Sequence, residues 1–263
     1  MKPGIHADVE ENAYHSDPAF SYSQAKTLLD NPARYKWERD NGGRPDSRAF
    51  DYGHAAHAKV LGVGLEVAVV DAADWRTKAA KEAADEARAA GKVPLLIGEA
   101  ARVDRMAAAI EAHPEARRIL ATKGTAEASI AWTDKDTGVQ CRGRVDFLAE
   151  TAAGLVNVDY KTTTDASPTG FAKLAGRFRY HLQAATYEDG LRHITGDGAP
   201  CVLIAQEKEA PYLVGVYSFA DWDLDRGLDL WRDALDLLVK CRADDVWPGY
   251  PDTITQLALP SWA

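Results

Sequence analysis

The order of hydrophobic periods along this 263-residue chain predicts an α+β, mixed α/β fold. Three observations carry that expectation. The first 120 residues read as a succession of helices. Near Glu127 the apolar period falls to two and stays there to about Lys161. Helical spacing then returns from Pro168, is interrupted by two further strand patterns, and closes in a long amphipathic helix.

Each element has its own signal. Ser21 is an N-cap ahead of the helix formers at 24–29, and Asn31-Pro32 breaks that helix before a further turn at 33–37. Residues 41–45 are a loop, and 50–61 form the next helix. The Ala-, Lys- and Glu-rich stretch 75–90 reads as a solvated helix that ends at Gly91-Lys92-Val93-Pro94. Helices at 99–112 and 114–120 follow. Residues 127–132 alternate as a strand, and Asp134-Lys135-Asp136-Thr137-Gly138 signals a hairpin turn. In 139–148, Val139, Cys141, Gly143, Val145 and Phe147 share one face, and Gln140, Arg142, Arg144 and Asp146 the other. A third strand at 155–161 puts Asn157, Asp159 and Lys161 on one face, so the three strands form an antiparallel meander. The helical signal at 168–193 is continuous. Strands at 201–206 and 212–219 precede a helix at 221–241, where Trp222, Leu224, Leu228, Trp231, Leu235 and Leu238 recur near helical spacing.

The whole chain is expected to be one unit: a mostly helical part at 1–121, a sheet with its following helix at 122–220, and a C-terminal helix and tail at 221–263. Apolar residues make up 46% and charged residues 27%, which excludes wholesale disorder. Three scattered cysteines form neither a disulfide framework nor a metal knuckle, consistent with a reducing cytoplasm. The opening residues lack the apolar stretch of a secretory leader, and no run is long enough for a membrane span. The net charge of −9 argues against a protein that coats nucleic acid non-specifically. Eight aspartates between Asp221 and Asp245 account for much of it, while basic residues gather at Lys26, Arg34, Lys36, Arg39, Arg44 and Arg48 and again at Lys173, Arg177 and Arg179.

The informative chemistry lies at Asp146 and at Asp159-Tyr160-Lys161. Paired as a hairpin, the two strands bring the two carboxylates close. At ~4 Å they repel by ~4 kcal/mol at a surface-like dielectric, and a divalent cation turns that cost into binding. Mg²⁺ takes one or two carboxylates with waters and phosphate oxygens. Lys161 beside it would hold an attacking water or steady charge on a phosphate. Gln183 and Tyr187 stand four apart and share a helix face. Gly53 and His57 stand one turn apart, with His57 a candidate imidazole ligand. Taken singly, each also reads as ordinary structure: a surface ion pair, a helix face, a packed histidine.

The ordered set does more. Phe50-x-x-Gly53-x-x-x-His57, then Cys141-Arg142-x-Arg144-x-Asp146, then Asp159-Tyr160-Lys161-Thr162, then Tyr180-His181-x-Gln183-x-x-x-Tyr187 resembles the PD-(D/E)xK nucleases of the RecB-like branch. It is most similar to phage and prophage exonucleases of the RecE, or exodeoxyribonuclease VIII, type. The resemblance extends to the opening Gly4-Ile5-His6 through Tyr14-His15, to Ser21-x-Ser23, Pro32-x-x-Tyr35 and the ending Leu259-Pro260-Ser261-Trp262.

That resemblance implies a restriction-endonuclease-like core, a central mixed sheet flanked by helices. It implies His57, Asp146, Asp159 and the Tyr160 carbonyl as metal ligands, and Lys161 as the catalytic lysine. Gln183 and Tyr187 would support the site or touch DNA. Glu127 would be a further acid near the site, grouped with Arg142 and Arg144 as DNA or phosphate contacts; for the two arginines, ion pairs with neighbouring carboxylates stand equal to phosphate contacts. Asp159 takes the middle acid position, where relatives often carry Glu. Asn31 stands before Pro32 where cluster-bearing relatives have Cys, so no iron–sulfur cluster is expected. The implied activity is Mg²⁺-dependent hydrolysis of linear double-stranded DNA from its ends, 5′ to 3′. Mn²⁺ would substitute and Ca²⁺ would bind without turnover. The 3′ strand would go to a RecT-like annealing protein, and the enzyme would be a trimeric or tetrameric ring, phage or prophage encoded and cytoplasmic in a bacterial host. Two alternatives remain open: a RecB-like endonuclease or single-strand nuclease, and a non-catalytic recombination scaffold.

Overall fold

The computed structural model describes residues 1–42, 48–62 and 66–259, with the backbone alone over 48–54. In chain order the elements are β1 (Gly4–His6), α1 (Glu11–Ser16), β2 (Phe20–Ser21), α2 (Tyr22–Asp30), α3 (Pro32–Asp40), α4 (Arg48–Leu61), β3 (Val67–Val70), α5 (Lys78–Ala89), β4 (Val93–Leu96), α6 (Ile97–Ala112) and α7 (Pro114–Leu120). Then come β5 (Gly124–Thr133), β6 (Gln140–Thr151), β7 (Gly154–Thr163), α8 (Pro168–Phe178), α9 (Tyr180–Thr195), β8 (Cys201–Glu207), β9 (Val214–Tyr217) and α10 (Asp221–Asp244).

Local chemistry sets many of these boundaries. Gln24 reaches back to the Ser21 backbone N–H at 2.9 Å to start α2. Pro32 opens α3 while the Asn31 side chain accepts from the Arg34 N–H at 2.9 Å, so the break and the next helix are one device. Thr77 caps α5 through the Ala80 N–H, which moves the helix start from the expected Trp75 to Lys78. Gly154, at φ +119°, turns β6 into β7.

The main sheet runs β1-β5-β6-β7-β8-β9, with β2 added parallel to β6. The expected meander β5-β6-β7 is antiparallel throughout. β7 and β8 are parallel, joined by the crossover through α8 and α9 that parallel strands require. This is a central mixed sheet flanked by helices, as the family resemblance implied.

Helices cover both faces. Trp231, Leu235 and Leu238 of α10 and Leu182 and Leu191 of α9 bury Ile130, Trp132, Cys141 and Val145 on one side. Met106, Ile110 and Ile119 of α6 and α7 pack with Phe147, Val158, Tyr160 and Ile204 on the other. Val158 and Tyr160 are therefore committed to the α6–α7 core, and their odd-numbered neighbours to the opposite face.

Three expectations need correction. The helix expected over 168–193 is two helices, because Arg179 adopts a left-handed backbone (φ +57°) between them. The breaker Gly91-Lys92-Val93-Pro94 leads into a strand, β4, that pairs parallel with β3 in a separate two-stranded sheet. Pro94 hides that strand from a propensity reading, and strands as short as β1 and β2 carry no period to detect. Val145 and Phe147 do not share a core. The β5–β6 ladder steps from Ala128↔Val145 to Ala126↔Phe147, and Glu127 between them is left-handed (φ +49°), so the chain beyond turns toward the second cluster. Arg44, Arg48, Phe50, Gly53 and the terminal Pro260-Ser261-Trp262 lie outside the residues whose side chains are described.

Candidate active site

The β6–β7 ladder ends at Phe147↔Val158. The next residues on each strand are Asp146 and Asp159. There the strands part, β6 continuing with β5 and β7 with β8. The parting is held by one bond: the Tyr160 backbone N–H donates to Asp146 Oδ2 at 2.8 Å. The hairpin thus delivers both carboxylates to one place, as the spacing implied.

Two further groups arrive from distant parts of the chain. His57 on α4 places Nδ1 3.5 Å from Asp146 Oδ2. Its ring meets the Tyr160 ring edge-on at 5.0 Å. The Tyr160 hydroxyl donates to Gln206 Oε1 at 2.6 Å, which anchors that ring in the core. Glu127 comes from the left-handed kink in β5. One ligand atom each from His57, Glu127 and Asp146 lie within 4.8 Å of one another. Two carboxylates and an imidazole at that spacing suit a hard divalent cation.

Asp159 is not in this trio, although it is the expected third ligand. Its Oδ1 is already occupied, accepting from Lys161 Nζ at 2.8 Å and from Gln183 Nε2 at 3.1 Å. Its Oδ2 is buried with no hydrogen-bond partner among the described residues. An orphaned carboxylate oxygen is costly to bury, and it is the kind of atom a cation would satisfy. On these grounds His57, Glu127 and Asp146 fit a divalent metal, and the unpartnered oxygen of Asp159 is chemically suited to add to them.

The electrostatics agree. Burial, followed by the charge of Asp146, pushes the Glu127 carboxyl up to about 7, against the opposing pull of Arg144. Burial also pushes Asp159 up, to about 6; Lys161 pulls it down and Asp146 adds to the rise. Burial alone would lower Lys161, but the negative charges of Asp159 and Asp146 outweigh it and hold the side chain as an ammonium. The site therefore contains acids held above their ordinary range by burial first and by the neighbouring carboxylate second.

The α9 pair behaves as a support. Gln183 spans Asp159 and the Tyr187 hydroxyl, at 3.1 and 3.5 Å. Tyr187 is buried, and its ring lies against Gly143, where any Cβ would meet it at 2.6 Å. Burial raises the Tyr187 hydroxyl well above its ordinary value, so it stays protonated. Gln183 is the residue of this pair that touches the charged centre.

The two arginines part company. Arg142 is 6% exposed, and its guanidinium donates to the backbone carbonyls of Tyr14 and of Ala19, the latter at 3.1 Å. It pins the N-terminal arm to β6, and neither a phosphate contact nor a carboxylate pair describes it. Arg144 donates to Ser129 Oγ at 3.1 Å and to the Val9 carbonyl at 2.7 Å, and lies 3.9 Å from Glu127. Its role is closer to the ion-pair reading. Both guanidiniums sit against the Tyr14 ring, at 4.4 and 4.2 Å.

Sequence reading gave no role to Tyr14, Tyr22 or Tyr180. Tyr180 places its ring 5.1 Å from Lys161 Nζ. It lies inside the Tyr180-His181-x-Gln183 segment, three residues before a candidate, and that proximity was the available signal. Tyr14 had only its place in the matched opening run, since it reaches Arg142 and Arg144 through the fold of the N-terminal arm. A second cluster of similar composition, Asp134, Asp189 and His193, lies elsewhere. Arg232 already occupies it, 2.5 Å from a carboxylate oxygen of each aspartate. No helix among the described residues is long and apolar enough to cross a membrane.

Comparison with known proteins places this geometry. None of the curated proteins matches the chain. A solved structure from Eubacterium rectale, described as "Putative exonuclease", superposes with a TM-score of 0.62 over 97% of both chains at 13% sequence identity, a likeness of fold. The family model described as "PDDEXK-like domain of unknown function (DUF3799)" matches residues 21–259. The chain belongs to that PDDEXK-like family, and through it to the PD-(D/E)xK nuclease superfamily.

Proposed function

We propose that this protein is a divalent-metal-dependent deoxyribonuclease that digests linear double-stranded DNA from its ends, in the manner of RecE-type exonucleases. The observation that carries the reading is the meeting of Asp146, Asp159 and Lys161 where β6 and β7 part, with His57 and Glu127 beside them.

His57, Glu127, Asp146 and the free oxygen of Asp159 would hold the metal, with the Tyr160 carbonyl as a further ligand. When bound, Mg²⁺ supplies Lewis-acid charge for the scissile phosphate and for water. The chain does the rest. Asp159 and Gln183 fix Lys161, whose ammonium binds the attacking water or a phosphate oxygen as negative charge develops. Water attacks in line with the departing 3′-oxygen. Arg144 keeps Glu127 in place, and Tyr187 backs Gln183. Polarity from 5′ to 3′, a ring of three or four copies, delivery of the 3′ strand to a RecT-like annealing protein and a phage origin in a bacterial cytoplasm complete the reading. These rest on the motif order alone.

The test is digestion of end-labelled linear duplex, blunt and recessed, beside covalently closed circular DNA. Loss of the linear forms in Mg²⁺ or Mn²⁺, with the circle intact and no digestion in Ca²⁺ or chelator, is expected. Nicking of the circle would favour an endonuclease. DNA left intact in every metal, or digestion that survives both Lys161→Ala and Asp159→Ala, would overturn the assignment.

A further inference from the structure

Beside Lys161, a pair of stacked rings ends in solvent. Tyr180 lies with its ring 5.1 Å from the Lys161 ammonium. Phe178 stacks on Tyr180, with centroids 5.8 Å apart and planes inclined by 25°. Phe178 is 40% exposed. A lone exposed phenylalanine needs no explanation, but this one is the outer end of a stack whose inner end touches the candidate catalytic cation.

The local backbone is built to hold that ring out. Between Phe178 and Tyr180 stands Arg179 in the left-handed region, which side-chain-bearing residues rarely adopt. It splits what would be one helix into α8 and α9 and turns Phe178 outward at the break. The Tyr22 hydroxyl donates to the Phe178 carbonyl at 2.8 Å, and Asp30 holds one arm of the Arg179 guanidinium at 2.8 Å. The other terminal nitrogen of Arg179, Nη1, is buried and has no hydrogen-bond partner among the described residues. The Arg177 guanidinium lies 5.7 Å from the Phe178 ring.

Resting on the nuclease reading above, we infer that Phe178 is a stacking seat for an unpaired nucleobase next to the scissile phosphate, with Arg177 serving the adjoining backbone phosphate and Arg179 holding the break that presents the ring. An aromatic face with flanking cations is the chemistry that takes single-stranded nucleic acid without regard to sequence. The substrate strand therefore enters the site as a nucleotide lifted out of its stack. A duplex end must open there before it is cut.

The probe is a duplex with 2-aminopurine at each of the terminal three positions in turn, bound to the full chain in Ca²⁺ and followed by fluorescence and anisotropy. Rates on blunt ends and on ends with a terminal mismatch are measured in Mg²⁺. The wild-type protein should change the fluorescence at one position. Phe178→Ala should abolish that change and weaken binding by roughly 5- to 150-fold, the range for one lost base–aromatic stack. It should slow blunt ends more than mismatched ones. Phe178→Trp should retain the signal, which separates stacking from misfolding. Phe178→Ala that digests both ends at the wild-type rate and keeps the fluorescence signal would overturn the inference and leave the nuclease reading standing. Wild-type protein that neither binds nor digests DNA would end both.

Discussion

Two clusters in this protein carry nearly the same groups and behave in opposite ways. At one end of the sheet, Asp134, Asp189 and His193 converge. At the parting of β6 and β7, Asp146, Glu127 and His57 converge, with Asp159 beside them. The first set is neutralised from within. Arg232 bridges both aspartates, Thr137 donates to Asp134 through N–H and hydroxyl at 2.9 and 2.6 Å, and Trp231 donates to Asp189 at 3.1 Å. Burial presses the Asp134 carboxyl upward, but the hydrogen bonds from Thr137 and Arg232 outweigh it and hold it below the usual range. In the second set burial and mutual repulsion win, and Glu127 and Asp159 rise to about 7 and about 6. Acids with a resident counter-charge clamp a fold. Acids without enough of one wait for a cation.

The sharpest way to break this contrast is to remove the cation of the second cluster. Lys161→Ala is expected to lower the DNA digestion rate of the folded protein by roughly 10²- to 10³-fold, as loss of a transition-state electrostatic partner does. A drop below tenfold in single-turnover digestion would remove Lys161 from the chemistry.

Arg232→Ala should do the reverse. It leaves Asp134 and Asp189 buried without a counter-charge, which costs about 3–5 kcal/mol when a buried pair is broken. Denaturant unfolding should show the loss, while the folded fraction digests DNA at the wild-type rate. An unchanged midpoint would mean that the network contributes nothing.

Glu127→Gln tests whether the kinked acid is a ligand. Divalent-metal affinity by calorimetry is expected to fall by at least roughly 10-fold, in the range seen when groups around a metal are altered. The metal-free variant should melt higher than wild type above pH 7, because it lacks a carboxylate that resists ionisation in the folded state.

The smallest effect is in the pH profile of the metal-free protein. Folded-state values above the unfolded ones mean that the native state binds more protons, so stability falls as pH rises. For Asp159 and Glu127 that loss runs from about pH 4 to about 7. Asp134, held low, loses its contribution only as pH falls below its ordinary value near 4. Melting in chelator should therefore weaken on both sides, and saturating Mg²⁺ should flatten the upper side alone. A metal-free melting temperature that climbs steadily from pH 4 to 7 would contradict the upper arm.

The catalytic hairpin was legible because strand periodicity is local. Asp146, Asp159 and Lys161 meet through one turn at Gly154, and period two decides which side chains share a face. Gln183 and Tyr187 were legible for the same reason on a helix. His57 was reachable only through the order of motifs, since nothing local ties α4 to β6. The burial of Arg142 was invisible: its face was read correctly, but its partners, the Tyr14 and Ala19 carbonyls, lie more than 120 residues away. The same holds for the break at Arg179, where helix formers run through a left-handed residue without a glycine or proline to announce it.

By itself the chain's pattern of side chains determined the meander and the acids and lysine that share an edge; the mixed sheet between helices was implied by the order of motifs. Tertiary structure alone decided that Glu127 stands with His57 and Asp146, that Asp159 spends one oxygen on Lys161 and Gln183, and that one acidic cluster is closed by Arg232 while the other is not. The physical reason is that periodicity fixes which face a side chain takes. Burial and the arrival of distant counter-charges fix what that side chain costs to ionise, and so what it is ready to bind.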